Sequence, residues 1–203
     1  MGQRLVVDVN DGDRTLCKVY YHWSAYTVSA FEELATLADI LAPLRDTYQS
    51  LTPDERRREV VATLARGLVA RGGGIDGTDA DRAAFERLCP DVDLGSYAPS
   101  RNYGLVALDP ASMQECDQWA EGTAVIDLGS WRCSNGCLYV YENVDEANEE
   151  LGDDYKEDDL PVLPSPFDMP FDLKAICKVK AAYDGVGGLI KIAGEPGVYE
   201  VSC

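Results

Sequence analysis

The chain has 203 residues, 46% of them hydrophobic, and its 36 acidic against 18 basic residues give a net charge of -18 at pH 7. A chain of this length and apolar content can bury a core without disulfide or metal staples, and its charge argues against direct nucleic-acid binding. The excess is local: residues 102–173 carry seventeen acids against Arg132 and Lys156, a net of -15, while the flanking segments nearly balance.

In chain order, Arg4 to Val9 and Thr15 to His22 read as two strands joined at Asn10-Asp11-Gly12-Asp13, because Asp-Gly supplies the positive backbone angles of a tight turn. Ser29 with Glu32 three residues on marks a helix start, and Phe31, Leu34, Leu37, Ala38 and Leu41 then recur at helical spacing up to Pro43. A second helix opens with Thr52 as cap, Pro53 as first residue and Glu55 completing a capping box, carries Val60, Val61, Leu64, Leu68 and Val69, and stops at Gly72-Gly73-Gly74. Thr78 starts a third, which ends before Pro90.

Beyond it, Tyr103 to Leu108, Thr123 to Leu128, Leu138 to Tyr141, Leu173 to Val179, Leu189 to Ile192 and Val198 to Val201 read as strands, with a helix from Pro110 to Ala120 between the first two. The pattern predicts an α+β fold with an N-terminal β-hairpin, three consecutive helices, then a mostly antiparallel or mixed sheet. Residues 1–203 read as a single domain with an acidic, proline-containing loop or linker at about 142–172.

The densest acidity lies in four pairs at a four-residue interval: Asp145 and Glu146, Glu149 and Glu150, Asp153 and Asp154, Glu157 and Asp158. On a helix that interval forms a stripe with steps of about 6 Å. Such a stripe resembles the charge spacing of a nucleic-acid backbone and suits a basic cleft on another protein. The plain alternative is a solvated loop, since Gly152 interrupts the helix and like charges four residues apart destabilise it. The spacing does not match a calcium loop.

Tyr20-Tyr21-His22-Trp23-Ser24-Ala25-Tyr26 holds the lone histidine at the end of a strand. One histidine without an identifiable orienting carboxylate and nucleophile points to no catalytic set. The simpler reading of His22, Trp23 and Tyr26 is a partly buried polar junction at a sheet edge; the sharper one is an aromatic site for a nucleotide or other small molecule.

Cys133 and Cys137 flank Ser134-Asn135-Gly136, which looks like a turn between strands, and no second cysteine pair of zinc spacing accompanies them. The glycines at 72–74 and 77 lack the following lysine and hydroxyl of a phosphate loop. Arg56-Arg57-Arg58 stands among Asp54, Glu55 and Glu59 and reads as a solvated face. No cofactor and no metal are expected. Seven scattered cysteines fit reduced thiols. The opening lacks a signal-peptide core, Val6 stands where a myristoylation motif needs serine or threonine, and no apolar run spans a bilayer, so a cytoplasmic protein without a membrane partner is expected.

Met1-Gly2-Gln3-Arg4, then a strand, a turn and Tyr20-Tyr21-His22-Trp23-Ser24, resembles the opening of uncharacterised bacteriophage and prophage proteins that begin Met-Gly-Asn/Gln-Arg and carry a Tyr-x-His-Trp element. The resemblance covers about 26 residues, extends to Arg101-Asn102-Tyr103-Gly104 before a strand, and implies a mobile-element origin without supplying catalytic residues. With the acidity, it leads to the expectation of an inhibitor of a bacterial defence system. Its partner would be a basic protein such as a defence nuclease or CRISPR effector, held by the eight paired carboxylates. The alternatives are a nucleotide or small-molecule binding protein or enzyme centred on His22, Trp23 and Tyr26, and an accessory phage protein.

Overall fold

The computed structural model describes residues 3–76 and 78–202; Met1, Gly2, Gly77 and Cys203 lie outside them. The chain opens with β1 (Leu5–Asp11) and β2 (Arg14–Tyr21), which pair antiparallel through a turn where Gly12 has φ 60°. A Cβ is strained at that angle, which is why glycine serves there. The register shifts once after Val9. Leu5, Val7 and Val9 alternate into the main core with Cys17, Val19 and Tyr21.

Helix α1 (Thr27–Leu41) buries Ala30, Phe31, Leu34, Leu37, Ala38 and Leu41, as their spacing requires. It begins two residues ahead of the expected Ser29 cap, and Tyr26 at the cap position makes no side-chain bond. Tertiary contacts fix this start instead. The buried Thr27 hydroxyl donates to the Cys137 carbonyl at 2.6 Å and accepts from the Ser202 N–H at 3.1 Å.

Helix α2 (Pro53–Val69) has the full Thr52/Glu55 capping box and buries Val60, Val61, Leu64 and Leu68, with Val69 half-buried. Strand β3 (Gly74–Ile75) follows, then α3 (Asp79–Leu88), capped by Thr78. The three helices are therefore not consecutive: β3 intervenes and pairs parallel with β4 (Leu105–Ala107).

Helix α4 (Pro110–Trp119) leads to β5 (Gly122–Asp127), which lies parallel to β1, and β6 (Arg132–Asn135) returns antiparallel. β7 (Leu138–Tyr141) belongs to a second sheet. The expected turn at 134–136 is instead a crossing between sheets. Ser134 and Asn135 remain in β6, and the buried Asn135 amide donates to the Thr27 carbonyl and accepts from the Cys137 N–H, so the chain does not fold back.

The chain continues through α5 (Val144–Leu151), β8 (Val162–Leu163), β9 (Met169–Pro170), α6 (Leu173–Tyr183), β10 (Gly188–Ile192) and β11 (Val198–Val201). The segment 142–172 thus contains α5, β8 and β9. The expected strand from Leu173 is a helix, α6. Asp172 caps it by accepting from the Ala175 N–H at 2.9 Å, and Ile176 and Tyr183, seven apart, are buried on one side. The Lys178-Val179-Lys180 alternation imitates a strand, but its outer residue Lys180 pairs with Glu32 and Asp184 beside α1, where Phe31 and Tyr183 meet at 5.2 Å.

The result is an α+β fold with a seven-stranded sheet ordered β3-β4-β2-β1-β5-β6-β9 and a four-stranded sheet ordered β7-β11-β10-β8, both mixed. Among the described residues no helix is long and apolar enough to cross a membrane, and no group of three or more histidine, cysteine or acidic side chains could hold a metal ion. The six described cysteines are free.

Candidate functional site

Two features stand out from this scaffold: the acidic face on α5 and the turn after it, and a polar cavity on the opposite side of the hairpin from the main core.

The acidic face begins where β7 ends. Asn143 caps α5 by accepting from the Glu146 N–H at 3.0 Å, and the Glu146 carboxylate reaches back to the Glu142 N–H at 2.6 Å. Val144 and Ala147 are buried with Tyr141, Leu160, Leu189 and Val198, and Leu151 and Tyr155 pack against them. With this side turned inward, Asp145, Glu146, Glu149 and Glu150 are exposed. Gly152, at φ 74°, closes the helix in the left-handed conformation.

The eight carboxylates therefore do not share one helical stripe. The first two pairs stand on α5, Asp153 and Asp154 on the irregular link after it, and Glu157 and Asp158 on a 3-10 turn; all eight are exposed. The segment is tied down nonetheless. The Asn148 side chain donates to the Tyr155 carbonyl at 2.9 Å and accepts from its N–H at 2.8 Å, and Glu157 pairs with Lys191 at 2.8 Å. The hydrogen bond from Lys191 and its charge hold the Glu157 carboxyl below its usual pKa. Among the described residues it is the only one of the eight in a salt bridge.

The cavity forms on the outer face of the hairpin. Pairing sets Val6 against Tyr20 and Asp8 against Lys18, and the next positions along this register are Arg4 and His22. Helix α4 roofs this face. Cys116 packs on Val6, Tyr20 and Ala107, with Met113 and Ala120 beside it. Lys18 pairs with Asp8 at 2.8 Å and with Asp117 on α4. Burial opposes the Lys18 charge, but the two carboxylates more than offset it and its pKa is raised.

Toward the Arg4 end the roof stands away and leaves a cavity of about 250 Å³. Arg4 and His22 line it from the hairpin, Asp76 and Thr78 from the segment after β3, Arg101 from the turn before β4, and Ser112, Glu115 and Trp119 from α4. The Arg4 guanidinium lies 4.8 Å from the centre of the Trp119 ring. The Tyr20 hydroxyl sits 3.0 Å from His22 Nδ1. Among the described residues neither Arg4 nor Arg101 makes a salt bridge.

The expected aromatic cluster is divided. Trp23 stays with His22, edge to face at 4.8 Å and half exposed, while Tyr26 lines a separate cavity with Val28, Ser29 and Gly185. The sequence expectation does not include Arg4, Arg101 or Trp119. The signal for Arg4 was present, since the hairpin register sets it beside His22. The other two arrive through tertiary packing.

Near the same hairpin end, Ser24 Oγ donates to Glu33 Oε1 at 2.9 Å on α1. Burial pushes the Glu33 pKa from the usual 4.5 to about 7, against the Ser24 hydrogen bond, which lowers it. The folded state therefore binds a proton that the unfolded state has lost, and stability falls as pH rises from 4.5 to about 7. Glu33→Gln keeps the acceptor for Ser24 and removes the charge. It is expected to stabilise the protein at pH 8 by roughly 1–2 kcal/mol and leave it unchanged at pH 4. Urea denaturation at both pH values measures this, and an equal effect at the two would exclude the charge as its cause.

Comparison with protein-family models, with curated proteins and with solved structures finds no match to this chain.

Proposed function

We propose that the protein is a cytoplasmic inhibitor of phage or prophage origin that binds a basic, nucleic-acid-binding surface on a bacterial defence nuclease or CRISPR effector. The observation that carries this reading is the exposure of all eight carboxylates from Asp145 to Asp158 on a segment anchored from its inner side by Val144, Ala147 and the Asn148–Tyr155 hydrogen bonds. Anchored carboxylates lose less conformational entropy on association than those of a mobile tail. The N-terminal resemblance to phage and prophage proteins supports the origin.

Because the positions of the eight charges follow a short helix, an irregular link and a turn, the mimicry is of charge density along a ridge and not of a regular helical stripe. Such a surface steers encounter with a basic cleft and competes with the nucleic acid for it. The test titrates the full chain into a DNA-cleavage assay of purified CRISPR effectors and defence nucleases. Inhibition is expected to be competitive with DNA and to weaken at least tenfold between about 50 and 200 mM salt. Inhibition that ignores salt would remove the electrostatic basis, and a panel left fully active would remove the target class.

A further inference from the structure

The cavity between the hairpin and α4 is separate from the acidic face, and its walls combine three kinds of group. Arg4 and Arg101 supply two guanidiniums without salt bridges among the described residues, with His22 between the strand end and the Arg101 turn. The backbone fixes this arrangement: the His22 N–H donates to the Arg101 carbonyl at 3.0 Å, and the Arg4 carbonyl accepts from the N–H groups of Glu121 and Gly122. Burial raises the Tyr20 pKa, and the Arg4 and Arg101 charges near its hydroxyl oppose that rise. Arg4 and Arg101 thus stand together at the Tyr20 end, where Glu121 Oε2 also accepts from the Arg4 N–H at 2.9 Å.

The rest of the wall differs. Glu115 and Asp76 add two carboxylates to the lining, and the Trp119 ring, 49% exposed, lies 4.8 Å from the Arg4 guanidinium. A ligand that fits all three parts has an anionic group at the arginines, hydroxyl donors toward the carboxylates, and a flat aromatic part for the tryptophan. Planar guanidiniums recognise phosphate oxygens, carboxylates accept from ribose hydroxyls, and tryptophan stacks with bases of any sequence.

We propose that this cavity binds a nucleoside 5′-monophosphate, with its phosphate between Arg4 and Arg101, its ribose hydroxyls toward Glu115 and Asp76, and its base on Trp119. The two carboxylates set the number of phosphates: in a small cavity of about 250 Å³ they repel the further charge of a di- or triphosphate and so favour the monophosphate. A site of this kind gives the inhibitor a second, small-molecule input that is independent of its acidic face.

The experiment is calorimetric titration of the full chain with each of the ribonucleoside 5′-monophosphates, with the matching nucleosides, and with inorganic phosphate. The monophosphate is expected to bind more tightly than either fragment. Arg101 holds the fold through its backbone carbonyl and its side chain is exposed, so Arg101→Gln leaves the fold intact. It should weaken the monophosphate roughly tenfold or more. Trp119→Ala should weaken the monophosphate by a similar factor and inorganic phosphate by less, since the ring also holds the Arg4 guanidinium. Binding no tighter than that of the fragments, or wild-type affinity in Arg101→Gln, would overturn the proposal.

Discussion

Replacing Asp81 by alanine is expected to destabilise the protein by about 3–5 kcal/mol, because two backbone donors lose their acceptor. Asp81 is fully buried in the first turn of α3. Its Oδ1 accepts from the Leu108 N–H at 2.6 Å and the Asp109 N–H at 2.8 Å, and its Oδ2 accepts from the Thr78 hydroxyl at 2.5 Å. Thr78 Oγ1 in turn accepts from the Asp81 N–H at 3.0 Å. One carboxylate thus joins the start of α3 to the end of β4 and to Asp109, whose own side chain caps α4.

Each buried donor left without a partner costs about 1–3 kcal/mol. Leu108 is 2% exposed, which leaves little access for water to replace the lost oxygen. Asp81→Asn keeps one oxygen for the two N–H groups and should cost only about 1–2 kcal/mol. Guanidinium unfolding at a constant denaturant slope measures both. An alanine variant within 1 kcal/mol of wild type, a difference smaller than one lost buried hydrogen bond, would mean that Asp81 does not hold this junction. Because α4 roofs the cavity, the same variant should also lose monophosphate binding before it unfolds globally.

What the sequence disclosed and what it hid follow from how far apart in the chain the determining residues lie. The hairpin turn at Gly12 and the Thr52/Glu55 capping box are local devices, complete within a few residues, and each appears in the fold as read. Helix α1 shows the limit, because its start is set by Cys137 and Ser202, more than a hundred residues away from Thr27, and not by Ser29. In α6 the period-two alternation around Val179 hid a period-seven pair, Ile176 and Tyr183, whose meaning comes from packing against α1.

The cavity is hidden in the sequence by the same separation along the chain. Its walls come from the ends of β1 and β2, the segment after β3, the turn before β4 and one side of α4, and the parallel pairing of β1 with β5 brings the Glu121 backbone to Arg4. No window of sequence contains more than a fragment of it. The acidic pairs, by contrast, were legible as residues but not as a shape. Gly152 marked the end of the helix, while the Asn148 to Tyr155 bonds that order the chain beyond it depend on a side chain with no distinguishing pattern.

Neutralising the acidic face should separate function from stability, because the two helical pairs affect stability in opposite directions, whereas the proposed electrostatic binding would weaken with the loss of either. Asp145 and Glu146 lie in the first turn of α5, where negative charge is favourable to the helix dipole; Glu149 and Glu150 lie in its last turn, where it is unfavourable. Asp145→Asn with Glu146→Gln should lower the melting temperature by roughly 1–3 °C, and Glu149→Gln with Glu150→Gln should raise it by a similar amount. Glutamine at 146 still accepts from the Glu142 N–H, so the helix start is retained. If a basic partner reads the ridge as charge density, each double variant should weaken inhibition by roughly 5- to 30-fold, and the quadruple variant by roughly 30- to 1000-fold with a flatter salt dependence. Inhibition constants at two salt concentrations, set beside thermal melts of the same samples, measure both effects. A variant set in which potency follows melting temperature would make α5 a scaffold and move the contact elsewhere. Potency that falls in both doubles while stability diverges leaves electrostatic contact as the one cause common to them.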